Sequence, residues 1–186
     1  MSMSLIDVVE KEVIIPENVE VTIDKQKIEV KGSLGSLSED ISHLPVKIER
    51  QDNRIILKVI WPRKKEIALV GTAASIIRNM IKGVTEGFTY KLEIVYAHFP
   101  VTIKVNKDKR ELTIENFIGE KVPRKVKICG ETDIQVQGDD ITVKGNRVQD
   151  VSQTAANIEN ATNIKDKDRR VFLDGIYIYR KSEGPR

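Results

Sequence analysis

Two stretches decide the fold: EIALVGTAASIIRNMIK at residues 66–82 and RVQDVSQTAANIENATN at residues 147–163. In the first, Ile67, Val70, Ala74, Ile77 and Ile81 are spaced 3, 4, 3, 4; in the second, Val148, Val151, Ala155, Ile158 and Thr162 repeat that spacing, displaced by 81. Such spacing puts one stripe on one face of an amphipathic helix. Gly71 interrupts the first stretch at about 1 kcal/mol relative to Ala, and a close approach of helix to sheet is the expected reason.

Outward from the helices, both halves read alike. Val19, Val21 and Ile23 alternate, as do Val101, Ile103 and Val105, which places each set on one face of a strand. Polar turns follow, Asp24-Lys25-Gln26 and Asn106-Lys107-Asp108-Lys109, and then second strands with Ile28 and Val30 matching Leu112 and Ile114. Gly35 corresponds to Gly119. Val46 and Ile48 pair with Val126 and Ile128, and Ile55, Leu57 and Val59 with Ile141 and Val143. A glycine and an apolar strand come after each helix, at Gly87-Phe88 and Gly175-Ile176. Landmarks recurring 80 to 88 residues apart predict an internal duplication. The expected fold class is α+β: two tandem copies of a small antiparallel β-sheet, each covered by one α-helix. The expected domains are 8–87 and 88–180, with a basic flexible tail over 181–186.

The chain of 186 residues is 40% hydrophobic and 32% charged, which argues against disorder as a whole. Its longest apolar runs, such as Ile94-Val95-Tyr96-Ala97, fall far short of the roughly 20 residues of a membrane span. The N-terminus lacks the basic flank and apolar core of a signal peptide. One cysteine, Cys129, leaves no disulfide framework and no multi-cysteine metal site. A soluble, intracellular protein is expected.

Catalytic constellations are missing. His43 and His98 have no second ligand at metal spacing, and Cys129 reads as a small buried hydrophobe. No Gly-x-Ser-x-Gly elbow is present. Gly32-Ser33-Leu34-Gly35 lacks the Lys-Ser/Thr of a phosphate loop and is better read as a bend. Gly87-Phe88-Thr89-Tyr90 has Thr89 where an RRM strand has Gly or Ala, and Asp139-Asp140 reads as a turn. No enzyme, cofactor, metal or small-molecule substrate is expected.

Charge is more informative. The net +3 lies entirely in residues 91–186, because residues 1–90 hold 13 basic and 13 acidic side chains. Residues 101–130 carry 8 basic against 4 acidic, 131–164 carry 2 against 6, and 165–186 carry 7 against 4. Convergence of the two basic stretches would build a surface for a polyanion. The first is Lys121-Val122-Pro123-Arg124-Lys125-Val126-Lys127. If it is a strand, Val122, Val126 and Ile128 face the core and Lys125 and Lys127 face solvent, with Arg124 beside Pro123 at a bend or edge. The same lysines would also discourage edge-to-edge pairing. The second begins where the second helix ends: Lys165, Lys167, Arg169 and Arg170, then an Asp174-Gly175 turn and a strand bearing Tyr177, Tyr179, Arg180 and Lys181. Arg side chains suit phosphate oxygens and tyrosines suit unpaired bases.

Arg170-x-Phe172-x-Asp174-Gly175-Ile176-Tyr177-Ile178 followed by Lys181, with Gln153-Thr154-Ala155-Ala156 and Lys167 upstream, resembles the large-subunit ribosomal protein L-six family in its archaeal and eukaryotic branch. The resemblance covers Val8 to Lys181; bacterial members have a lysine- and glycine-rich segment near this motif. It implies two similar domains, with the C-terminal one carrying most ribosomal RNA contacts, near the factor-binding region and the sarcin–ricin loop. Carried over by residue, it implies Lys167, Arg170 and Lys181 near RNA, Phe172 in the core and Asp174-Gly175 as the turn. Lys121, Arg124, Lys125 and Lys127 come from strand alternation alone. The expected partners are large-subunit ribosomal RNA and neighbouring ribosomal proteins, on the cytoplasmic ribosome. The alternative from the residues is a non-ribosomal protein-interaction module that docks partners on exposed sheet faces.

Overall fold

A computed structural model describes residues 8–164, 167–168 and 170–184. The chain divides into two compact units, Met1–Thr85 and Glu86–Arg186.

In the first unit, strands β1 (Val8–Ile14), β6 (Arg54–Ile60) and β5 (Lys47–Gln51) form one antiparallel sheet in the order β1-β6-β5, and β2 (Glu20–Asp24), β3 (Lys27–Gly32) and β4 (Gly35–Asp40) form another. Helix α1 (Lys64–Thr85) packs on strands of both sheets. It begins at Pro62-Arg63, where the Arg63 amide donates to Glu66 Oε2 at 2.7 Å, satisfying a donor that no helix carbonyl can reach. Its buried stripe of Val70, Ala73, Ala74, Ile77, Met80, Ile81 and Val84 meets Ile28, Val30, Ile55 and Leu57, all essentially inaccessible to solvent. Each such aliphatic side chain contributes about 1.5–3 kcal/mol by leaving water. By length and composition α1 could cross a membrane, yet this packing makes it a core helix. At Gly32 a Cβ would lie 2.7 Å from Val84 Cγ2 and O, so the end of β3 touches the end of α1 only because no side chain intervenes.

The second unit has a four-stranded sheet, β11 (Asp133–Gln137), β12 (Asp140–Gly145), β7 (Phe88–Val95) and β13 (Gly175–Glu183), and a three-stranded one, β10 (Arg124–Lys127), β9 (Glu111–Glu115) and β8 (Thr102–Asn106). All pairs are antiparallel. Helix α2 (Val148–Ala161) packs on β7, β10, β12 and β13, burying Val151, Thr154, Ala155 and Ile158 against Leu92, Leu112, Ile114 and Ile141.

Several expectations need correction. Each unit holds two sheets under its helix, where one was expected. Ladder order puts β10 where the first unit has β4, and β11 where it has β5. Ile48 therefore answers to Ile134 rather than Ile128, because alternation alone does not tell one hairpin from the next. Val122 precedes β10 and is 77% exposed, away from the core. Gly71 meets no sheet backbone; a Cβ there would have only Lys11 Nζ nearby, at 3.6 Å. Cys129 is half-buried. Lys181 to Glu183 are strand, not tail.

Candidate nucleic-acid interface

At the C-terminal end of α2, Arg124 and Lys125 of the first basic stretch meet Lys167 of the second. Arg124 and Lys125 of β10, Ile118 and Glu120 before it, Asn160, Ala161, Asn163 and Ile164 at the end of the helix, and Lys167 line one groove of about 650 Å³. Val126 is buried and Lys125 and Lys127 are exposed on either side of it, the alternation a strand imposes. Lys125 Nζ is 3.8 Å from Glu111 Oε1, while Lys121 and Lys127 have no carboxylate partner among the described residues.

Arg124 is the anchored member. Its guanidinium meets Glu120 with Nε–Oε2 2.8 Å and Nη2–Oε1 2.5 Å, donates from Nη1 to the Ala161 carbonyl at 2.6 Å, and lies 4.5 Å over the buried Phe117 ring. A cation thereby satisfies a terminal carbonyl of α2 and opposes the negative end of the helix dipole. The Arg124 bonds hold the Glu120 carboxyl below its ordinary range.

A second cavity of about 310 Å³ adjoins the groove and shares Asn160, Asn163 and Ile164 with it; Glu159, Thr162, Phe172, Asp174 and Tyr177 complete its wall. It lies where α2 covers the free edge of β13. There the Ile176 amide donates to Thr162 Oγ1 at 3.0 Å and the Ile178 amide to Glu159 Oε1 at 3.2 Å, so side chains close an edge that backbone leaves open. Asp174, 2% exposed, ties this wall to the loop after β7. Its Oδ1 accepts from the Ala97 and His98 amides at 2.9 and 3.2 Å, and Oδ2 lies 2.8 Å from His98 Nδ1. Burial pushes the Asp174 carboxyl up, but the bonds from Ala97, the imidazole and the His98 amide outweigh it and leave the group below its ordinary range. The His98 ring stacks on Phe172 at 5.0 Å, and Lys167 Nζ sits 5.2 Å from the same ring.

Compared with known proteins, the chain matches the family model of Ribosomal protein L6 twice, over residues 15–87 and 99–175. The chain belongs to the Ribosomal protein L6 family. A relative in Staphylothermus marinus, the large ribosomal subunit protein uL6, is 52% identical over 171 residues, covering 91% of this chain and 92% of its own. The proteins of the same name in Methanobrevibacter smithii and Aeropyrum pernix are 46% and 48% identical, covering 93% and 90% of this chain and 96% and 91% of their own. The family is one of ribosomal structural proteins, not of enzymes.

Within this L6 chain the sequence-derived residues fall into three groups. Arg124, Lys125 and Lys167 share the groove, and Tyr177 lines the adjoining cavity. Lys121, Lys127, Arg170, Arg180 and Lys181 are exposed elsewhere on the second unit. Arg170 folds onto Asp168, with Nη2–Oδ2 3.1 Å, and lowers that carboxyl's pKa. β13 bulges at Tyr179, so that Arg180 stands opposite Lys91 and Lys181 opposite Tyr90, 5.6 Å over whose ring its ammonium lies. Tyr177, Arg180 and Lys181 lie beyond the second matched L6 segment. Lys165 and Arg169 lie outside the described residues. Phe172 is half-buried and stacked, not in the core, and Asp174 is a buried acceptor of three donors rather than only a turn residue. No sequence signal marks Asn160 and Asn163, which are helix-end amides, and His98 reads in the sequence as an isolated histidine without a ligand spacing.

Proposed function

We propose that the chain is a structural constituent of the large ribosomal subunit that binds large-subunit ribosomal RNA, mainly through its second unit. The observation that carries this reading is the convergence of Arg124, Lys125 and Lys167 on one groove. Lys127 extends the row along β10, and cations so placed neutralise phosphates and release counterions. Folded A-form RNA offers phosphates and 2′-hydroxyls more readily than base edges, so shape and charge are the expected means of recognition. Family membership supports the ribosomal setting, with a cytoplasmic ribosome and other ribosomal proteins as neighbours; a position near the translation-factor-binding region is part of the same proposal. The two units derive from one ancestral sheet-and-helix unit; Val70, Ala74 and Ile77 are buried at the positions answering to Val151, Ala155 and Ile158.

The test is filter binding of the full chain and its Lys125→Ala/Lys127→Ala variant to a large-subunit ribosomal RNA transcript across a salt series. The log–log salt slope should fall by about one for each phosphate contact removed. An unchanged slope and affinity would remove β10 from the interface.

A further inference from the structure

The cavity between the β13 edge and the end of α2 differs in character from the groove beside it. The groove carries cations; the cavity carries two aromatic rings, amides and carboxylates. We infer that this cavity receives a single unpaired adenine or cytosine, while the neighbouring cations hold the phosphates flanking it. The inference rests on the RNA-binding reading above and adds to it a base-specific site.

Tyr177 is the proposed stacking platform. Its hydroxyl donates to the Leu173 carbonyl at 3.1 Å, and its ring folds back over Gly175, where a Cβ would meet Cζ and Oη at 2.9 Å. The ring is thus held in place, and Tyr177 as a whole is still 44% exposed. Held aromatic surface beside polar groups suits an unstacked base, whose π-face stacks and whose edge forms hydrogen bonds. Phe172 also lines the cavity, held by the His98 stack.

The polar groups specify the edge. Asn160 makes no side-chain hydrogen bond among the described residues, so its amide can donate to a ring nitrogen. Glu159 uses Oε1 for the Ile178 amide, and its carboxylate retains acceptor capacity for an exocyclic amino group. An amino group beside a ring-nitrogen acceptor is the Watson–Crick edge of adenine and cytosine; uracil would set a carbonyl against the carboxylate. The volume of about 310 Å³ lies at the small end of ligand sites, which span roughly 300–1,000 Å³, and suits one base.

Dimethyl sulfate footprinting of a large-subunit ribosomal RNA transcript with the full chain tests this, since the reagent reads that edge of unpaired adenine and cytosine. The wild-type chain should protect one such nucleotide. Gly175→Ala should lose that protection by pushing the Tyr177 ring aside, and Tyr177→Ala should lose it by removing the ring. Both should bind about five- to a hundredfold more weakly. Tyr177→Phe, which keeps the ring, should retain most of the protection. Asn160→Asp, folded as judged by circular dichroism, should also lose it. Wild-type footprints and affinities in Gly175→Ala and Tyr177→Ala would overturn the base site and leave the RNA-binding reading intact. Absence of binding by the wild-type chain would overturn both.

Discussion

Replacing Asp174 with Ala removes one carboxylate and three acceptor contacts at a single point. The Ala97 and His98 amides and the His98 ring lose their partner, and the segment before β13 loses its tie to the loop after β7, 76 residues earlier. Hydrogen bonds to a charged group contribute about 1.5–3 kcal/mol each. Two factors reduce the total: Ala97 and His98 are exposed, so their donors regain water, and the variant no longer buries a charge. A net loss of about 2–4 kcal/mol follows. For a unit of about 100 residues that lowers Tm by roughly 10–25 °C. Scanning calorimetry should show the drop in the second unit's transition only. The pH dependence supplies the stricter check. The Asp174 carboxyl sits below its ordinary range, so its stabilisation is fully present above the unfolded carboxylate pKa of about 3.9 and disappears as pH falls through the folded value. The gap between wild type and variant should therefore be constant near pH 7 and close in acid. A gap that does not narrow as the pH falls below the unfolded carboxylate value of about 3.9, or one under about 0.5 kcal/mol at pH 7, would refute the clamp.

Three further outcomes follow from the packing and the groove. Gly32→Ala should destabilise the first unit by about 1–3 kcal/mol in urea denaturation, because its Cβ would overlap both Cγ2 and the carbonyl of Val84. Ile158→Ala, at a fully buried position of α2, should cost about 2–5 kcal/mol in the second unit. Glu120→Gln should weaken the clasp on Arg124 and raise the affinity for ribosomal RNA at low salt, read by isothermal titration at two salt concentrations, while changing stability in urea denaturation by less than about 1 kcal/mol, as expected of a partly exposed pair.

Much of the fold was legible from spacing. The 3, 4, 3, 4 stripes name residues that the structure buries, from Val70 to Ile81 and from Val151 to Thr162. Ile67 departs from its stripe because it lies in the first turn of α1 and is 44% exposed. Strand alternation put Lys125 and Lys127 on the solvent side of Val126, where they are. Strand pairing was less legible: period-two patterns match one another at many offsets, and only the ladders show that Ile134, not Ile128, answers to Ile48. The groove depended on distance along the chain. Arg124 reaches Ala161 across 37 residues and Asp174 reaches Ala97 across 77, and no local pattern marks either. The bulge at Tyr179 changes which face Lys181 joins, a one-residue effect that alternation does not anticipate.

The net positive charge lies in the second half of the chain, and the two units can be tested as separate segments. Their cores share no residue: the first runs from Val13 to Val84 and the second from Phe88 to Ile176. The most direct measurement is the binding of the separate segments 1–85 and 86–186 to a large-subunit ribosomal RNA transcript, each over a salt series. Segment 86–186 should retain most of the full chain's affinity and its steep negative salt slope, while 1–85 should bind far more weakly with a shallow one. Equal affinity and equal slope for the two segments would contradict this asymmetry.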